Sequence, residues 1–128
     1  MALAAPAIRA TRSFHRVGKV AQARGDVAAA EQAYTQDLAI SDRLAALDPT
    51  NTDWQEDLAA TYRSLGDLAE ARGDVAAAEQ AYTQELAIYQ RLTTLDPANT
   101  SWQEALTAAR SRIVDVARSS PHPEDEDL

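Results

Sequence analysis

One segment of the chain occurs twice, and this repeat restricts the fold more than any other feature. The sequence from Ala23 to Ile40 returns from Ala71 to Ile88, 48 residues later, with one change: Asp37 in the first copy is Glu85 in the second. An Asp-Pro pair and a tryptophan farther along recur at the same offset. Two near-identical units in 128 residues indicate a repeat architecture, in which each unit buries its apolar surface against its neighbours.

The repeated segment has the pattern of a helix with defined ends. Apolar side chains follow one another at spacings of three and four in the first copy, at Val27, Ala30, Tyr34 and Leu38. Gly25-Asp26 precedes them, and it ends one helix and begins the next because glycine accepts the left-handed conformation and aspartate caps a helix. Asp48-Pro49 stops the helix, since the residue before proline is disfavoured in the α region. The sequence therefore predicts an all-α chain of five helices without a strand.

The predicted helices form about two and a half units within one domain, residues 1–118. Repeat 1 occupies about 6–49 and repeat 2 about 54–97, and a capping helix follows at about 102–118. The first helix is expected to begin at Pro6, because proline suits a first helical turn. Ser101 with Glu104, and Asp53 with Glu56, have the spacing of a capping box at the starts of the fifth and third helices.

The last ten residues differ from the repeats in composition. Residues 119–128 contain two prolines and four consecutive acids, which predicts a disordered acidic tail. The acidic run at 124–127 has two other interpretations, a metal chelator and a docking tag for a basic partner. A solubilising tail is the preferred interpretation.

Charge and composition exclude several classes of function. The chain has no cysteine, hence no disulfide and no cysteine zinc site, and no apolar run approaches the roughly 20 residues of a membrane span. Residues 1–25 carry five basic residues and no acid, whereas seven basic and twenty acidic residues follow. Most of the surface is thus expected to repel nucleic acid.

The basic N-terminal segment also resembles a mitochondrial presequence, because it is rich in arginine and lacks acids. Its match to the repeat favours a structural role. The bias to arginine and alanine hints at a bacterial source, and we expect a cytoplasmic protein.

Catalytic residues are scarce. His15 and His122 are the only histidines; His122 lies between two prolines, and His15 has no acidic residue nearby in sequence. The four glycines are isolated, so no phosphate-binding loop is present. The sequence therefore predicts no enzyme, no cofactor and no metal site. The tyrosines and tryptophans that recur with the repeat (Tyr34, Tyr82, Trp54 and Trp102) have two interpretations, packing and an aromatic binding cage, and packing is preferred.

These residues resemble a known family. Several positions of the second unit lie at the relative spacings of a tetratricopeptide repeat, a 34-residue helix-turn-helix: Tyr62, Leu65-Gly66, Gly73-Asp74, Ala78, Tyr82 and Leu86. The present unit has seven extra residues in each helix, about two helical turns, which preserve the buried face. Residues 6–118 thus resemble the long-unit variety of tetratricopeptide-like repeats common in bacterial arrays.

The chain also departs from the family's pattern. Ala69 stands where the family often has a large aromatic residue, and Glu85 stands where it prefers a small one. In the third, half-length unit, Arg110 and Val114 take the places of Tyr62 and Gly66.

The resemblance implies a short right-handed α-solenoid whose concave face, formed by the first helix of each unit, binds a peptide or a partner's helix. Carried over by position, the partner-binding residues are His15, Lys19 and Gln22 in the first unit, Arg63, Asp67 and Glu70 in the second, and Ser111, Asp115 and Arg118 in the third. This groove is basic at one end and acidic in the middle, so a ligand of mixed charge is expected.

Two alternatives stay open. The chain is a self-associating structural element, or the terminal piece of a longer array, because nothing in the sequence covers Val114 and exposed apolar ends of a solenoid favour pairing into a homo-oligomer. A less favoured alternative is an anionic ligand or acidic membrane surface bound by the arginine-rich first helix.

Overall fold

The computed structural model describes residues 4–119, which form five α-helices and no strand. The helices are α1 (Ala4–Ala23), α2 (Val27–Leu47), α3 (Thr52–Ala71), α4 (Val75–Leu95) and α5 (Thr100–Ser119). The all-α prediction is confirmed. The predicted boundaries differ at both ends of the chain: α1 begins before Pro6, and α5 begins before Trp102 and includes Ser119, which was assigned to the tail.

Glycine and aspartate form the tight turn inside each unit, as predicted. Gly25 and Gly73 have φ values of 76° and 79°, in the region that side chains disfavour. The Asp26 N–H donates to the Ala21 carbonyl at 2.9 Å, which closes the end of α1, and the Asp26 carboxylate accepts from the first turn of α2. Asp74 repeats both contacts for α3 and α4.

The capping-box prediction for α3 and α5 is wrong. The Asn51 side chain accepts a hydrogen bond from the Trp54 N–H at 3.1 Å, and Asn99 does the same for Trp102 at 3.0 Å. Ser101 lies inside α5. Asparagine is as good an N-cap as serine, and its place after the Asp-Pro turn makes each helix start two residues earlier than a capping box would.

Two equivalent apolar clusters show that the repeat extends to the core. In the first, Leu65 and Leu68 of α3 pack on α2 beside Tyr34, which is fully buried. In the second, every member lies 48 residues later, so Ile113 and Val116 of α5 pack on α4 beside Tyr82. A third cluster, centred on Ile88 and Leu92, joins α2, α3 and α4. Each helix therefore packs mainly on its neighbours in sequence, as in a helical-repeat protein.

Two glycines allow the close helix contacts. A Cβ atom added at Gly66 would lie 2.5 Å from Cε1 of Tyr82, and one added at Gly18 would overlap the ring of Tyr34. Any larger side chain at these positions therefore separates the two helices of a unit. No helix among residues 4–119 has both the length and the apolar character of a membrane span.

Candidate binding groove

Two carboxylates are buried at equivalent places between the units. Asp37 of α2 and Glu85 of α4 are each 2% exposed, and they occupy the position at which the two copies of the repeated segment differ. Burying a carboxylate is costly unless hydrogen bonds or an opposite charge compensate it. The two interfaces provide this compensation differently.

At the first interface, Asp37 is compensated mainly by hydroxyl groups. Ser41 and Thr61 donate hydrogen bonds to its carboxylate at 2.9 and 3.2 Å, and Nδ1 of His15 lies 3.5 Å from it. Burial raises the pKa of Asp37, while these hydrogen bonds and His15 oppose the rise. Contacts from three helices thus converge on one carboxylate, which links α1, α2 and α3.

At the second interface, an arginine compensates Glu85. Nη2 of Arg112 on α5 lies 2.7 and 2.8 Å from the two carboxylate oxygens, and its guanidinium is 5.7 Å from the Tyr82 ring centroid. Burial raises the pKa of Glu85, and Arg112 opposes the rise. Nε of Arg112 is buried and has no hydrogen-bond partner among residues 4–119. The pair therefore leaves one donor unsatisfied.

The residues around the two carboxylates change together. Arg112 corresponds to Ser64 in the first interface, and Ala109 corresponds to Thr61. The longer glutamate is combined with an arginine and an alanine, while the shorter aspartate is combined with two hydroxyl residues. The single difference between the repeated segments is thus matched by differences on the helix that follows each of them.

A cavity of about 500 Å³ opens at the first interface, between α1 and α3. Asp37 lies at its floor, and Asp57 of α3 is an exposed second acid on its wall. Three cations of α1 line the opposite side: Arg12, Arg16 and Lys19. The cavity therefore presents positive charge from one helix and negative charge from the other two, an arrangement suited to a ligand that carries both signs.

The implied groove residues of the first unit surround Tyr34. His15 and Lys19 line the cavity; the His15 ring lies 5.7 Å from the Tyr34 ring, and Lys19 Nζ lies 5.9 Å from its centroid. Gln22 accepts a hydrogen bond from the Tyr34 hydroxyl at 3.0 Å. The structure thus brings these three residues together, with Gln22 occupied by an internal contact.

The implied groove residues of the second unit are largely engaged within the fold. Asp67 and Glu70 lie 2.5 and 2.6 Å from the Tyr82 hydroxyl, which has one hydrogen and donates to one carboxylate at a time. Burial and the two carboxylates raise the pKa of Tyr82. Arg63 is exposed. Asp67 and Glu70 thus both lie against the tyrosine of the following helix, while Glu70 stays exposed.

The implied residues of the third unit, Ser111, Asp115 and Arg118, are exposed on α5 and surround Val114 in a shallow depression. Val114 is 48% exposed. No tyrosine covers them, because no sixth helix follows among residues 4–119. The groove residues implied for the three units thus lie in three different environments.

A larger cavity, about 700 Å³, lies elsewhere, on the side of α4 near Pro49 and Leu95. Arg91 is its one charged lining residue. It lacks the converging charges of the cavity above Asp37, so the smaller cavity is the better candidate for a binding site.

Several groove residues were missed from sequence, namely Asp37, Asp57, Arg12 and Arg16. Asp37 had a signal, since it is the position where the repeated segments differ. The tyrosines pack in the core, as preferred: Tyr34 and Tyr82 are fully buried. Within residues 4–119, no group of three or more potential ligands forms a metal site. The acidic run at 124–127 and His122 lie outside the described residues.

Comparison with known proteins gave no match to a protein-family model, to a curated protein or to a solved structure.

Proposed function

We propose that the chain is a tetratricopeptide-like protein-interaction module, without enzymatic activity, and that the groove between α1 and α3 binds a peptide or partner helix of mixed charge. The observation that carries this proposal is the cavity above Asp37, where cations of α1 face Asp37 and Asp57. A helical-repeat scaffold supports it, because stacked helices create extended surfaces suited to binding other chains.

The two sides of the cavity define the ligand. Acidic groups of the ligand contact Arg12 and Lys19, and a basic group reaches toward Asp57 and Asp37. Charges that complement each other across an interface contribute to orientation and specificity more than to raw affinity. The groove therefore selects ligands by the order of their charges.

Synthetic peptides test this proposal directly. Four peptides of equal length (acidic-then-basic, all acidic, all basic and uncharged) are labelled and titrated with the full chain by fluorescence anisotropy. We expect the mixed-charge peptide to bind most tightly. Lys19→Ala and Asp57→Asn should each weaken binding by up to about fivefold, the effect of an exposed pair of about 1 kcal/mol.

Matched substitutions on α2 serve as controls. Arg43→Ala and Asp42→Asn remove the same charges from exposed positions outside the cavity, so they should leave binding unchanged. Equal affinity for all four peptides, or equal losses in the groove and control variants, would contradict the groove assignment.

A second candidate function is self-association, which the exposure of Val114 favours. Val114 occupies the register of Gly66, where Tyr82 of α4 leaves no room for a side chain on α3. A valine there prevents a helix from docking as closely as α4 docks on α3, so pairing through α5 is expected to be weak and to depend on concentration.

A further inference from the structure

No part of residues 4–119 covers the outer face of α1, although the equivalent faces of α3 and α5 are covered. This face consists of Arg16, Val17, Val20 and, just after the helix, Arg24. Val17 and Val20 are 55% and 44% exposed. Large apolar side chains at this exposure, side by side on one helix, mark a surface that another element can cover.

The internal repeat shows what covers this face elsewhere. Val20 corresponds to Leu68 of α3 and to Val116 of α5, which are 1% and 2% exposed because α2 and α4 pack on them. Val17 corresponds likewise to Leu65 and Ile113, which belong to the same two clusters. The apolar part of the face thus has the composition that receives the second helix of a unit.

The two arginines follow the same correspondence. Arg24 corresponds to Arg72, which forms an ion pair with Glu31 of α2. Arg16 corresponds to Arg112, which binds the buried Glu85 of α4. Within residues 4–119, neither Arg16 nor Arg24 has an ion-pair partner. At the equivalent positions, Arg72 and Arg112 each face a carboxylate of the helix that covers them. Both cations of the α1 face therefore stand at positions where the repeat pairs an arginine with such a carboxylate.

The covering helices share one pattern. Both α2 and α4 begin with Val-Ala-Ala-Ala-Glu, have a tyrosine three residues after that glutamate, and carry a second acid three residues later. Small residues allow close approach, and the tyrosine fills the space between helices. The first acid meets an arginine in α2 (Glu31 with Arg72), and the second acid does so in α4 (Glu85 with Arg112). The second acid is glutamate where its partner is an arginine, as in Glu85 with Arg112.

We propose that the outer face of α1 docks an acidic amphipathic helix of a partner protein, with two carboxylates six residues apart on either side of an aromatic residue. This surface shares Arg16 with the edge of the groove, but Val17, Val20 and Arg24 lie outside the cavity, and the proposal does not depend on the function proposed above. It gives a role to two of the five basic residues, Arg16 and Arg24, in a segment of 25 residues that has no acid. A second copy of this chain does not supply the helix, because α2 and α4 each lie between two other helices.

A peptide taken from the chain itself, with the sequence of α4, serves as the probe for this face. A labelled peptide of residues 74–95, which includes the cap Asp74 and all of α4, is titrated with the full-length chain by fluorescence anisotropy. We expect saturable binding that Arg16→Ala weakens about tenfold, the effect of losing a charge-assisted hydrogen bond. Val17→Asp should abolish the binding, since it places a carboxylate where the peptide's apolar side docks. Circular dichroism checks that this exposed substitution leaves the fold intact.

Three controls locate the binding. A peptide with Glu85→Gln should bind wild type as weakly as the parent peptide binds Arg16→Ala. Arg43→Ala removes the same charge from α2 and should have no effect, and Lys19→Ala tests whether the peptide enters the groove. Binding that survives Val17→Asp, or that Lys19→Ala weakens as much as Arg16→Ala does, would overturn the assignment to this face.

The acidic segment of the chain itself is a competing occupant. A variant lacking residues 120–128 is therefore titrated in parallel. Equal or moderately tighter binding by this variant supports a partner helix in trans. Binding that occurs only after the deletion would identify residues 120–128 as the occupant and overturn the proposal.

Discussion

Gly66 of α3 faces the ring of Tyr82 of α4. Gly66→Leu should lower the free energy of unfolding by about 1–3 kcal/mol, because overpacking outweighs the roughly 1 kcal/mol that a better helix former gains. Chemical denaturation followed by circular dichroism measures the change. Val114→Ala, at the same register on the exposed side of α5, should change stability by no more than about 0.5 kcal/mol. Equal stability of Gly66→Leu and wild type would mean that Tyr82 does not pack against position 66.

Asp37 makes folding depend on pH. Because burial raises its pKa, the folded chain keeps this proton at pH values where the unfolded chain has lost it. The folded state then binds more protons, so the contribution to stability is fully present below the ordinary carboxyl pKa of about 4 and is lost as pH rises through the raised pKa. Asp37→Asn should therefore gain less thermal stability than wild type between pH 7 and pH 5.

Two controls isolate the effect of Asp37. Asp42→Asn, exposed on the same helix, should keep the wild-type pH dependence. Both substitutions are also made in a His15→Gln chain, which removes the one imidazole that faces Asp37. An identical pH dependence for Asp37→Asn and wild type would show that this carboxylate does not retain its proton in the fold.

At the scale of the helices, the residues around each buried carboxylate act as a set. Arg112→Ser alone leaves Glu85 buried without its hydrogen-bonded cation and should cost about 3–5 kcal/mol. Adding Glu85→Asp and Ala109→Thr supplies the shorter acid and the hydroxyl donor equivalent to Thr61, while Tyr89 stays in the place of Ser41, so the variant should recover part of that loss. Denaturation of the single, double and triple variants gives the coupling energy. A triple variant as unstable as Arg112→Ser would show that the two interfaces differ in more than these residues.

The start of α5 offers a direct comparison between two capping arrangements. Asn99→Ala should destabilise the chain by about 1 kcal/mol, since it removes the acceptor for the Trp102 N–H. Ser101→Ala should have little effect because Ser101 lies within the helix. Thermal melts of the two variants measure the difference. A larger loss of stability for Ser101→Ala would show that Ser101, and not Asn99, caps α5.

For the whole molecule, the exposed face of α5 around Val114 predicts pairing with a second copy. If the exposed Val114 mediates contact, light scattering at high concentration should give a mass above the 13.8 kDa of one chain, and Val114→Glu should return it to that value. Thr107→Glu, in the same shallow depression, controls for added charge beside the contact. A mass of one chain at all concentrations would rule out self-association through this face of α5.

The local sequence was sufficient for the order of the helices and for the turns between α1 and α2 and between α3 and α4. Glycine at positive φ, an aspartate cap and an Asp-Pro stop act within a few residues, so they can be interpreted without knowing the fold. The repeat also indicated which apolar residues are equivalent, and the two clusters beside Tyr34 and Tyr82 confirm that correspondence. The helix starts at Asn51 and Asn99 were mispredicted because two capping schemes compete within three residues.

The surroundings of each carboxylate were decided by tertiary structure alone. Asp67 and Glu70 have the helical spacing of groove residues, yet the Tyr82 hydroxyl engages both because α4 crosses α3 at that level. Asp37 and Glu85 lie on a helix face that the sequence cannot distinguish from a solvated one until α3 and α5 cover it. Local sequence specifies where a helix begins and which side of it is apolar. The burial of a charge depends instead on residues 24 to 27 positions away, such as Thr61 and Arg112. These residues meet the charge only after the helices stack.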